Sequence, residues 1–104
     1  MTAIRVVKTN HFDKWFRQLK DIRAAARIQM RLDRLVAGNP GDVKPVGDGI
    51  SELRIDYGPG YRVYYQRRGD VLIVLLHGGD KSSQARDIKR AKEIAEEWAD
   101  HDQD

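Results

Sequence analysis

The chain has no cysteine, only three prolines, and no apolar run longer than Val71–Leu76. Without cysteine there are no disulfides and no thiolate metal sites, which fits a reducing, cytoplasmic setting. A run that short falls far below the roughly 20 residues needed to cross a bilayer, and the first residues contain no apolar signal region. A soluble protein with no membrane partner is expected. The three histidines are scattered and have no carboxylate beside them at ligand spacing, so neither a metal site nor a cofactor is expected. Gly78-Gly79 lacks the spacing and the strand-to-helix register of a phosphate loop.

What is present is charge. Of the 104 residues 34% are charged, with a net charge of +3. The excess is uneven: residues 1–35 hold nine Lys or Arg against three Asp, residues 36–85 balance at six against six, and residues 86–104 hold four against seven. A basic N-terminal half with a neutral centre suits a polyanion such as nucleic acid, because each neutralised phosphate releases counterions. Solvated helix faces would produce the same count. The length predicts one domain, residues 1–104, large enough to bury roughly two thirds of its unfolded surface around one core. No repeat, linker or low-complexity segment interrupts it.

The pattern along the chain predicts the elements. Ile4–Lys8 is short and β-branched and ends at Thr9-Asn10, as a strand running into a helix cap does. Phe12, Trp15, Phe16 and Leu19 recur at helical spacing. Asp21 restarts the pattern for a longer stripe of Ile22, Ala25, Ile28, Leu32, Leu35 and Val36, which Gly38-Asn39-Pro40 stops. The Gly-, Pro- and Asp-rich segment from Asn39 to Gly49 reads as a loop. Three strands follow as an antiparallel meander: one alternating through Leu53, Ile55 and Tyr57, one through Tyr61, Val63 and Tyr65, and the doubly apolar Val71–Leu76. Gly58-Pro59-Gly60 and Arg68-Gly69-Asp70 are the turns between them. Ser82 or Ser83 then caps a last helix striped by Ile88, Ala91, Ile94 or Ala95, and Trp98, with a frayed tail from His101 to Asp104. The sum is a two-layer α+β domain with an N-terminal strand and helical hairpin, a three-strand meander and a C-terminal helix. Its helices are expected on one sheet face. Arg54, Arg62 and Tyr64 are then expected to open together from the other, at least partly bare face.

Candidate chemistry follows from that placement. Arg62 offers a planar fork of donors to a phosphate; the alternative is cross-strand pairing with Glu52 or Asp56. Arg54 carries the same two readings. Lys81 sits on a glycine-led turn just before a helix, where cation and backbone donors can gather round an anion, or it is simply an exposed loop lysine. His77 ends the apolar strand with a titration range suited to acid–base work, or is a packed core histidine. Trp15, Phe16 and Trp98 lie on helical stripes and read as core.

Four segments, Phe12-Asp13-Lys14-Trp15-Phe16, Leu53-Arg54, Gly60-Tyr61-Arg62-Val63-Tyr64-Tyr65 and Gly78-Gly79-Asp80-Lys81-Ser82, taken together resemble the RelE/ParE superfamily of bacterial type II toxins. The likeness covers nearly the whole chain and is nearer to the addiction-module killer branch of RelE/HigB type. It implies a toxin silenced by a cognate antitoxin, with operator DNA bound only through the antitoxin complex. For RelE-like members it implies a metal-independent endoribonuclease (an mRNA interferase) that cuts messenger RNA on the ribosome by attack of a 2′-hydroxyl on the adjacent phosphate. On this likeness Arg62 supports the phosphate, Arg54, Lys81 and Tyr64 join it in binding RNA, and the basic helices face ribosomal RNA. Where well-known members have a tyrosine near the C-terminus, this chain has Arg86, Asp87 and Ile88. His77 or Asp80 is then left to move protons beside Arg62 and Lys81. The superfamily's ParE branch instead poisons DNA gyrase, and a non-catalytic antitoxin- or DNA-binding module is the third possibility.

Overall fold

The computed structural model describes residues 4–102. Its elements run β1 (Arg5–Lys8), α1 (Asn10–Arg17), α2 (Ile22–Val36), β2 (Val43–Gly47), β3 (Ile50–Ile55), β4 (Tyr61–Arg68), β5 (Leu72–Asp80), a single 3-10 turn (Lys81–Ser83) and α3 (Gln84–Asp102). The α+β class, the opening strand, two successive helices and three antiparallel strands appear where expected, but β3 ends at Ile55 before Tyr57, and Gly78-Gly79, expected as a turn, belong to β5, which runs on to Asp80. The five strands form one sheet in the order β1-β5-β4-β3-β2, with β1 parallel to β5 and every other pair antiparallel. The apolar β5 thus lies inside the sheet, flanked by β1 and β4.

Local chemistry sets the helix starts. The Thr9 hydroxyl accepts the Phe12 N–H at 3.1 Å and donates to the Leu76 carbonyl at 2.7 Å, so one side chain both caps α1 and ties it to β5. The Asp21 carboxylate accepts from the Arg23 and Ala24 N–H groups and starts α2.

Three expectations are corrected. First, the segment expected to be a loop contains β2, an edge strand paired to β3. Proline is admissible on such an edge, and Pro45 stands beside the irregularity that separates it from Gly47. The glycines end β2 in a tight reversal, with Gly47, Asp48 and Gly49 all at positive φ (100°, 56° and 75°). Second, the helices do not share one face, and the domain is not two-layered. α1 and α2 cover one face over Phe12, Ile28, Leu35, Leu53, Val63 and Leu75, while α3 covers the other over Ile50, Tyr64, Val74 and Leu76. Two cores replace the expected one. Full burial of an Ile, Val or Leu side chain contributes about 1.5–3 kcal/mol, so Ile50, Val74 and Leu76 are a strong driving force for laying Ala91, Ile94 and Ala95 of α3 across them. Third, a 3-10 turn that contains both candidate serines precedes the final helix. The Asp80 carboxylate accepts the Ser82 N–H at 2.9 Å and begins the 3-10 turn that leads into α3. α3 itself continues to Asp102, and the last two residues of the expected tail, 103–104, lie outside the described residues. Trp15 and Phe16 pack against the first core and Trp98 against the second, as their stripes predict.

Candidate functional site

The register of β3 and β4 sets Arg54 opposite Arg62 and Glu52 opposite Tyr64. All four side chains therefore rise from the sheet face that carries α3. Like charges directly opposite one another repel, and Glu52 lies on the diagonal between the two guanidinium groups. Its Oε1 accepts from Arg62 Nη1 at 3.0 Å and stands 3.9 Å from Arg54 Nε. Its Oε2 accepts from the Tyr64 hydroxyl at 3.1 Å and from Gln84 Nε2 of α3 at 2.9 Å. Arg54 also lies 3.5 Å from the carboxylate of Asp42, just ahead of β2.

This corrects the expectation of an open face. Glu52 and Tyr64 are fully buried and Arg62 is only 8% exposed, because α3 lies over them. Tyr64 cannot meet RNA where it stands. Burial, reinforced by the Glu52 carboxylate, raises its pKa far above the ordinary phenol value, so it remains a protonated donor to Glu52. Of the two readings of Arg62, pairing with Glu52 is realised, and it is realised in the interior.

The arginines nevertheless reach a cleft. The β4–β5 register pairs Tyr61 with Asp80 and Arg62 with Gly79, which brings the residue after β5 beside the start of β4. Gly60, at φ 81°, lets Lys81 approach: a Cβ at residue 60 would stand 3.4 Å from that of Lys81. Arg54, Arg62 and Lys81 thereby line one depression of about 250 Å³ together with Asp42, Ile55, Asp56, Gly60 and Tyr61. Its rim carries three cations and two carboxylates. Among the described residues the buried Nε–H of Arg62 has no hydrogen-bond acceptor, whereas Arg54 Nε is held between the Asp42 carboxylate at 3.5 Å and that of Glu52 at 3.9 Å. A depression of about 290 Å³ between Lys8–His11 and Trp98 contains none of the predicted site residues.

His77 and Asp80 do not line this cleft. Asp80 is occupied with its cap, and the Ser82 hydroxyl bonded to it holds its pKa below the ordinary carboxylate value, which makes it a weak base. His77 faces α3, with Nε2 3.2 Å from Asp87 Oδ1, and Ser83 donates its hydroxyl to the other oxygen of Asp87. Burial lowers the His77 pKa against the opposing pull of Asp87, so the neutral ring donates from Nε2. The unfolded chain has the ordinary value of 6.5 and the folded chain a lower one. Between the two, only the unfolded state takes up the proton. The contribution of His77 to stability is therefore complete above pH 6.5 and is lost as the pH falls through 6.5 toward the folded value. Urea midpoints at about pH 7.5 and about pH 5.5 should separate in the native protein and converge in His77→Gln. Identical pH dependence in the two proteins would remove this role.

Asp42, Asp56, Tyr61 and Gln84 belong to the site without having been singled out as such. Asp42 was masked by its loop-like surroundings, and Tyr61 by an alternation that assigns it to the core, where its ring does meet Trp15 at 6.4 Å. Gln84 had no signal at all, since its role depends on α3 crossing the sheet. Among the described residues no group of three or more His, Cys, Asp or Glu side chains could hold a metal ion. No described helix is long and apolar enough to cross a membrane.

Residues 14–99 match the family model described as phage derived protein Gp49-like. An uncharacterised protein of Haemophilus influenzae is 54% identical over 95 residues, covering 91% of this chain and 96% of the relative.

Proposed function

Because this chain belongs to the Gp49-like family of phage-derived proteins, a family associated with the toxins of toxin–antitoxin modules, we propose that it is such a toxin and acts by cutting messenger RNA on the ribosome. An antitoxin is the partner this family implies. The observation that carries the proposal is the cleft itself, in which three elements contribute Arg54, Arg62 and Lys81 to one place.

In this reading a 2′-hydroxyl attacks its own 3′-phosphate, the bond to the next nucleotide's 5′-oxygen breaks, and a cyclic phosphate and a 5′-hydroxyl result. Arg62 supports the charge that builds on the phosphorus-bound oxygens, and Arg54 and Lys81 hold the flanking backbone. The proton of the 2′-hydroxyl and the proton returned to the leaving oxygen are handled by groups that line the cleft. Asp42, Asp56 and Tyr61 are there, whereas His77 and Tyr64 are not.

Lys81 gives the cleanest test, because it is exposed and removing it should change stability by no more than about 0.5 kcal/mol. Lys81→Ala should reduce cleavage of ribosome-bound transcripts about 10²-fold, read by primer extension, with an unchanged unfolding midpoint. Undiminished cutting and growth arrest would remove Lys81 from the site. Growth arrest by the native chain with intact transcripts and failing supercoiling would point to gyrase instead. Harmless overexpression would favour a non-catalytic binding module, a reading supported by the absence of His77 and Asp80 from the cleft.

A further inference from the structure

Glu52 is a fully buried carboxylate in a chain that could have placed an apolar side chain under α3. A buried ion pair is weak grounds for stability, since an apolar replacement often serves as well, and its better-attested use is to select one geometry. The geometry selected here is specific. Glu52 takes Nη1 of Arg62 on one oxygen, and on the other it takes Tyr64 from β4 and Gln84 from the first turn of α3. Among the described residues no other acceptor holds the Arg62 guanidinium, whose Nε–H goes unmatched.

We infer that Glu52 is a positioning residue for the cleft: it fixes the plane of the Arg62 guanidinium against the anion site and, through Gln84, makes that plane depend on where α3 begins. This rests on the reading of the cleft as a phosphate site. Tyr64 cannot substitute for Glu52, because it offers Arg62 no anionic acceptor. Arg54 cannot either, since it repels Arg62 across the strands. A guanidinium released from Glu52 would rotate freely and present its donors to an anion only part of the time, which is the loss that preorganisation prevents.

The test uses the full chain, inorganic phosphate as the probe, and nitrogen-15 spectra of the arginine side chains. In the native protein the Arg62 Nη signals should be resolved by hindered rotation, and phosphate should shift them. Glu52→Gln keeps the shape and removes the charge; its Arg62 signals should average, and phosphate affinity should fall about tenfold while the fold persists. A purely structural role would move the unfolding midpoint and leave the affinity of the folded protein alone. Gln84→Ala, on a partly exposed helix position, carries the test independently if Glu52→Gln does not fold, with an expected loss of about threefold. Native-like phosphate affinity and resolved signals in these variants would overturn the role of Glu52 alone. Equal phosphate binding by the native protein and Arg62→Lys would overturn the phosphate reading of the cleft and this inference with it.

Discussion

Arg62→Ala is expected to lower the free energy of unfolding by about 3–5 kcal/mol, before any question of catalysis arises. The reason is the charge it leaves behind. Glu52 is without solvent exposure, and after the substitution its ionised carboxylate would keep only the neutral donors Tyr64 and Gln84, with Arg54 Nε at 3.9 Å. A total stability of about 5–15 kcal/mol is ordinary for a domain, so this single change would consume a large part of it. Urea titration checks the value. The double variant Glu52→Gln with Arg62→Met should recover most of the loss, because removing both charges together leaves neither unpaired. A loss below about 1 kcal/mol in Arg62→Ala would mean that the pair is solvated and that α3 does not seal it. The consequence for function is practical: abolished growth arrest in Arg62→Ala would not distinguish a missing catalytic donor from an unfolded chain. Arg62→Lys is the informative variant. It retains a cation for Glu52 but loses the planar fork, so it should fold and still lose about 10²–10³-fold in cleavage rate.

How far the sequence discloses this arrangement depends on the range of the interaction. Local signals were legible. Thr9 and Asp21 cap helices because a short polar side chain next to an apolar stripe has few other uses, and β5 is apolar on both faces because it is covered on both. Period-2 alternation placed Glu52, Arg54, Arg62 and Tyr64 on one face correctly. What it could not disclose was what covers that face. The stripe of α3 is compatible with either side of a sheet, and β1 joining parallel to β5 is a long-range event with no local mark. The exposed arginine surface inferred from the pattern is therefore a buried ion-pair network with one open edge. Composition misled in the segment after Pro40, where glycine and proline signal a loop in general but here mark an edge strand and its reversal.

Gly78 and Gly79 show the same limit, and they support the other large prediction. Each glycine is read by a different layer of the fold. A Cβ on Gly78 would stand 2.1 Å from the Trp15 indole of α1, and one on Gly79 would stand 1.9 Å from Asp87 Oδ2 of α3. Neither distance is compatible with a real contact, so a methyl group at either position must move a helix or a strand. Overpacking costs typically about 1–3 kcal/mol and occasionally more, and Gly78→Ala should lie at or above the upper end, because what the methyl group meets is a rigid indole ring rather than the far end of a flexible side chain. Trp15→Leu introduced with it should restore part of the loss, a coupling that urea titration of the four proteins would measure. Gly78→Ala within about 0.5 kcal/mol of the native protein would show that α1 rides loosely on the sheet. Gly79→Ala should destabilise by a comparable amount through a different route, displacing the buried Asp87 from His77 and Ser83. Its second effect separates the two glycines. Gly79 is the register partner of Arg62, and Asp87 holds the same end of α3 as Gln84, which binds Glu52. At equal loss of stability, Gly79→Ala should therefore reduce cleavage by the remaining folded protein more than Gly78→Ala, whose displaced Trp15 reaches the cleft only through the Tyr61 ring.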